Sequence, residues 1–158
     1  MTDRFAKAMM EGKEYAADHE FAEARAAFQE ALRYKRDAPD AHYYFAFAAS
    51  EEIGAHFLVA LTKAGISLGH LHMNWQDALH PDNHAKAIER VTTVYGKRKI
   101  FRYKLAAANA RRRLASCVKH LHMAVTMRPH YTFARELLEK LEPLADASPL
   151  SLVAAVLS

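Results

Sequence analysis

The chain has a single cysteine, Cys117, which excludes an internal disulfide and any cysteine-based zinc module. That usage suits a reducing compartment, so a cytoplasmic location is expected. Five glycines and five prolines in 158 residues are too few for the turns of a β-sandwich. No unbroken run of about 18 apolar residues occurs, so no membrane span is expected. Met1-Thr2-Asp3-Arg4-Phe5 lacks a basic segment followed by an apolar one, so no signal peptide is read there. A glycine-rich phosphate loop, a Gly-x-Ser-x-Gly turn and a His-Glu-x-x-His helix are also missing. No motif supports a reaction, and the expectation is a non-enzymatic protein that needs no cofactor.

What is present is 51% hydrophobic and 25% charged, the balance of a globular domain. The charge is unevenly placed. Residues 90–135 hold twelve Lys/Arg and no Asp/Glu, whereas residues 1–56 hold seven against eleven. A folded chain with this layout carries a strong dipole. Either the basic stretch packs beside acidic parts of the protein, or it receives an acidic peptide, a nucleic acid or an anionic lipid.

Apolar residues recur at helical spacing almost throughout. Phe5, Met9, Gly12 and Ala16 form one stripe, and Phe21, Ala24, Phe28, Ala31 and Leu32 form the next. Asp18 is placed to cap the second helix. Pro39 opens a third, aromatic helix with Tyr43, Tyr44, Phe45 and Phe47. Apolar helix is expected to continue over 52–79, broken at Gly54, Gly65 or Gly69. His80-Pro81-Asp82 punctuates, a helix over 82–95 ends at Gly96, and 97–127 forms one helix or two. A final helix over 130–142 turns Phe133, Leu137, Leu138 and Leu141 inward, and Pro143 and Pro149 bracket a linker to an apolar tail. The fold class is all-α, with residues 1–145 as one helical domain and 146–158 as the tail.

Small and large residues repeat at fixed spacing. Ala24-x3-Phe28-x2-Ala31 is echoed by Cys117-x3-Leu121-x2-Ala124, with Pro129 five residues on, and more loosely by Ile53-x3-Phe57-x2-Ala60. Gly12-x2-Tyr15 precedes the first set. This pattern resembles the tetratricopeptide repeat (TPR), best over residues 4–39 and less well over 98–142. The resemblance implies antiparallel helical hairpins stacked as a short superhelix with a C-terminal capping helix. It also implies a concave groove for peptides, faced by Tyr43 or Tyr44 and by Arg102 and Asn109 on a later first helix. Consecutive aromatics cannot all face one core, so the set Tyr43–Phe47 is expected to be mainly core with some members turned outward or toward a partner.

The basic run Lys97-Arg98-Lys99 to Lys104, with Arg111-Arg112-Arg113, adds candidates. Lys97, Lys104 and Arg111 fall at i, i+7 and i+14 and so share a helix stripe, with Arg112 beside it. Phe101 and Tyr103 interleave with these cations, as in nucleic-acid binders, unless Phe101 and Leu105 face the core. His-Leu-His-Met occurs twice, at 70–73 and 120–123, and places His70 with Met73 and His120 with Met123 on shared helix faces. Such pairs suit a soft metal ion, although the remaining ligands are missing. The leading expectation is therefore a module that binds a protein or peptide, acidic in character, through aromatic and basic residues. A basic nucleic-acid binder and a His/Met metal carrier are the alternatives. The tail at 150–157 is a candidate for self-association.

Overall fold

The first helix begins where Asp3 accepts hydrogen bonds from the backbone N–H groups of Phe5 and Ala6. In the computed structural model, which describes residues 3–145, α1 (Arg4–Ala17) is followed by α2 (Phe21–Tyr34), α3 (Pro39–Lys63) and α4 (Trp75–Leu79). Then come α5 (His84–Tyr95), α6 (Ile100–Met127) and α7 (Thr132–Ala145). Single 3-10 turns at Pro81–Asn83 and Lys97–Lys99 precede α5 and α6. The described residues contain no strand, so the protein is all-α. The tail at 146–158, with Pro149, lies outside the described residues.

Two helix ends share one device. After α1, His19 adopts φ 59, its N–H reaches Ala16 O, and the Glu20 N–H reaches Tyr15 O. After α3, Gly65 adopts φ 79, its N–H reaches Thr62 O, and the Ile66 N–H reaches Leu61 O. Both are left-handed reversals that satisfy the last carbonyls of a helix. The first explains why Asp18 does not cap α2. It is the end residue of α1, and α2 starts after Glu20 without a side-chain cap. The second decides among the three glycines at which the helix expected over 52–79 could break. The chain leaves α3 at Gly65, where glycine takes positive φ without strain, and Leu61 and Ile66 close the turn with buried side chains. Residues 64–74 are turns and loop, so His70 and Met73 share no helix face. Pro143 is not in a linker but in the last turn of α7, where its missing N–H removes a bond close to the helix end.

The contacts divide the described chain into two compact units. The first holds residues up to Glu52 with Ser116–Leu141; the second holds Ile53–Ala115 with residues from Glu142 onward. The helices α3, α6 and α7 each contribute to both.

In the first unit, α1 and α2 pack together. Gly12 is what lets them close, because a Cβ there would lie 2.5 Å from the Phe28 ring. Phe28, Ala24, Ala31, Met9 and Ala41 are buried in one core cluster, and Tyr44 stacks on Phe28. Arg25 and Glu52 pair at 2.5 Å across the same unit.

In the second unit, Phe57, Leu61, Leu79, Val91, Tyr103 and Leu114 are buried. The short α4 is held by its last carbonyls. The Tyr103 hydroxyl donates to Ala78 O at 3.0 Å, and Arg111 Nε donates to Leu79 O at 2.8 Å. Lys99 donates to Ala64 O at the end of α3.

By length and composition α3 is apolar enough to cross a membrane, and half of its most apolar stretch is buried. Ala41, Ala46, Ala48, Ile53, Phe57 and Leu61 spend that apolarity on the interior, and Glu52 forms an ion pair at mid-helix.

Candidate functional site

The acid-free stretch divides between the units, but nine of its twelve Lys/Arg, those within residues 90–115, lie in the second. Residues 53–115 hold eleven Lys/Arg against three Asp/Glu. Packing then sorts these cations. The side of α6 that carries Tyr103, Ala107, Ala110 and Leu114 is buried, and that side also takes in Lys104 at 6% exposure and Arg111 at 5%. Lys104 and Arg111 therefore do not form the exposed basic stripe that the spacing suggests. Lys97 lies in the 3-10 turn ahead of α6, where it is exposed.

The exposed face of α6 is a different set. Phe101 is 55% exposed and Leu105 50%. Arg102, Asn109 and Arg112 continue the stripe at i+1, i+8 and i+11 from Phe101, and Arg98 precedes it by three residues; all four are exposed. Arg112 Nη2 donates to Asn109 Oδ1 at 2.9 Å, which sets the direction of that guanidinium. Arg113 turns away from the stripe and meets His56 Nδ1 at 2.9 Å. Phe101 and Leu105 thus do not face the core. Tyr103, two residues along, takes the inward position and fills it. The result is an apolar pair at i,i+4 bracketed by arginines, from a segment that has no carboxylate of its own to neutralise them.

The first unit presents an aromatic ladder. Phe21 meets Phe47 edge-on, Phe47 stacks with Tyr43, and Tyr43 contacts Tyr44, Tyr131 and Phe133. Tyr43 and Tyr44 are half-buried, and burial raises the Tyr43 pKa. Phe133 stands 65% exposed rather than inward as its spacing suggests, because Tyr131 and Ala134 hold the inward positions at the start of α7. Lys13 lies over the Tyr44 ring and Arg128 over Tyr131, each 4.9 Å from the centroid. Tyr43 and Tyr44 belong to this unit, whereas Lys97, Arg102, Lys104, Asn109, Arg111 and Arg112 belong to the other.

A histidine pair, His42 buried and His120 half-buried, also lies in the first unit, and no sequence pattern pointed to the pairing. His42 Nε2 lies 2.8 Å from Arg36 O, and His42 Nδ1 lies 2.8 Å from His120 Nδ1. A carbonyl only accepts, so His42 donates through Nε2, and its Nδ1 then accepts the proton of His120 Nδ1. The His120 ring also packs on Phe45, with centroids 4.5 Å apart. Burial first, then the charges of His42 and Lys119, push the His120 pKa down to about 4. In the unfolded chain the group titrates near 6.5. The stability from the neutral pair is thus complete above about pH 6.5 and is lost as the pH falls toward 4, because the unfolded chain takes up the proton first. The difference in melting temperature between the native protein and a His120→Gln variant is expected to shrink across that window. A difference that stays constant with pH would contradict the assignment.

Among the described residues no group of three or more His, Cys, Asp or Glu is arranged to hold a metal ion. Cys117 is buried. Comparison with protein-family models, with curated proteins and with solved structures returns no match.

Proposed function

We propose that this protein is a non-enzymatic interaction module that docks an acidic partner protein on the exposed face of α6. The observation that carries this reading is the pair Phe101 and Leu105, exposed at i,i+4 and bracketed by Arg98, Arg102 and Arg112. Apolar side chains at the centre of an interface supply contact area, while surrounding arginines select and steer an acidic partner. The complementary surface is an amphipathic helix with leucines on one face and glutamates along its flanks. The fold belongs with this reading. We take α1–α2 as a TPR-like hairpin, with Gly12 beneath Phe28 and with Ala24 and Ala31 as the small residues, and α7 as the capping helix. Tyr43 and Tyr44 then belong to a second, aromatic contact surface, with Phe133 as its exposed edge.

The test is fluorescence anisotropy with a labelled Leu/Glu amphipathic peptide, a scrambled peptide of the same composition, and single-stranded RNA and DNA oligonucleotides. The amphipathic peptide is expected to bind at micromolar concentration, with affinity falling as salt rises. Equal binding of the scrambled peptide would leave charge without shape and contradict the reading. Preferred binding of the oligonucleotides would replace it with base stacking on Phe101 between arginines.

A further inference from the structure

The two His-Leu-His-Met segments have different fates in the fold. His70 and Met73 lie in the loop after α3, whereas His120 and Met123 both lie on α6. At that i,i+3 spacing their Cβ atoms are about 5–6 Å apart on one face. The sequence leaves this second pair short of a ligand, and α3 supplies one within the same unit. His42 Nδ1 lies 2.8 Å from His120 Nδ1. His42 is 3% exposed, and its Nε2 donates to Arg36 O at 2.8 Å. That bond fixes the tautomer, so His42 turns the lone pair of Nδ1 toward His120. A ring whose far N–H is held by a backbone carbonyl is the usual preparation of a metal-ligating histidine. Around α6, Met123 lies farther than His120 from the buried face of Cys117, Leu121 and Ala124, so it approaches the ring pair from the solvent side.

We propose that His42 Nδ1, His120 Nδ1 and Met123 Sδ form a three-coordinate site for one soft monovalent metal ion, Cu(I). Imidazole and thioether donors without a carboxylate select a soft ion over a hard one. A single positive charge also suits the surroundings, because the rings are neutral and the Lys119 charge acts on His120. His120 is held neutral down to about pH 4, chiefly by burial, so protons do not compete for the site at neutral pH. Binding releases no net proton: the one on His120 Nδ1 passes to Nε2, and the ion takes the place of the hydrogen bond between the rings. Two metal–nitrogen bonds of about 2.0 Å at a trigonal angle set the nitrogens about 3.5 Å apart, so the rings part by about 0.7 Å. His120, half-buried, makes that movement, since His42 is anchored to Arg36 O. The unbranched Met123 side chain adapts to close the third position. This site shares no residue with the exposed face of α6 that docks the partner.

The experiment titrates the purified, untagged full chain, without oxygen and at neutral pH, into Cu(I) held by the coloured chelator bicinchoninate. Loss of colour and the NMR signals of the His42 and His120 ring nitrogens are followed together. The chain is expected to withdraw one Cu(I) and to move both Nδ1 signals on the same curve. Met123→Leu is expected to weaken affinity about tenfold through loss of the soft ligand, with the fold intact because the side chain is exposed. His120→Gln is expected to abolish the withdrawal, and if it fails to fold, Met123→Leu decides the matter. Met127→Leu removes the same kind of thioether one turn further on and binds as the native protein does. No withdrawal of Cu(I), withdrawal that leaves the His42 and His120 signals in place, unchanged affinity in folded Met123→Leu, or Zn(II) held as tightly by the same rings overturns the proposal.

Discussion

Phe28→Ala is expected to remove about 3–5 kcal/mol of stability, the range for deleting a fully buried aromatic side chain. The ring is completely buried, stacks on Tyr44 with centroids 5.3 Å apart, and sits over Gly12. Its removal takes away both the transfer free energy of the ring and the contact that joins α1 to α2. The neighbours Ala24 and Ala31 are too short to collapse into the space. Domains of this size are stable by only about 5–15 kcal/mol, so the variant falls close to unfolding at ordinary temperature. Urea denaturation followed by circular dichroism measures the shift in midpoint. Gly12→Leu approaches the same junction from the other side, since a Cβ at residue 12 already meets the ring at 2.5 Å. A loss below about 1 kcal/mol for Phe28→Ala would show that the ring is not the keystone of the α1–α2 contact.

Charge reversal on the exposed face of α6 is the second large effect, and it acts on binding rather than on folding. Arg98, Arg102 and Arg112 are exposed, so the triple variant Arg98→Glu, Arg102→Glu, Arg112→Glu is expected to keep native helicity. Steering charges act mainly on the association rate, so binding of the Leu/Glu peptide should slow by about tenfold or more at low salt. The salt dependence should flatten or change sign. Phe101→Ser with Leu105→Ser should act differently, raising the dissociation rate and leaving the salt dependence intact. Unchanged kinetics in the triple variant would separate the arginines from partner binding.

Most of the helices are legible in the sequence because the local signals agree. Pro39 opens α3, the Phe5–Met9–Gly12 and Ala24–Phe28–Ala31 stripes match the buried faces of α1 and α2, and His80-Pro81-Asp82 marks the boundary before α5. The end of α3 is not, because Gly54, Gly65 and Gly69 look alike along a line. Only the packing of Leu61 and Ile66 beneath Gly65 separates them. The site reads less well for a related reason. Helical spacing shows that Lys97, Lys104 and Arg111 line up, but not which side of α6 meets the protein interior. Tyr103 decides that, and its burial takes Lys104 and Arg111 inward while leaving Phe101 and Leu105 outside. The His42–His120 pair joins residues 78 apart, a separation that no periodicity reveals.

Whether partner binding takes place on the exposed face of α6 is read from chemical-shift changes in the amide NMR spectrum of the full chain on titration with the Leu/Glu peptide. Changes are expected to concentrate at Arg98, Phe101, Arg102, Leu105, Asn109 and Arg112. Changes centred instead on Tyr43, Tyr44 and Phe133, or no saturable change at any residue, would contradict binding on that face.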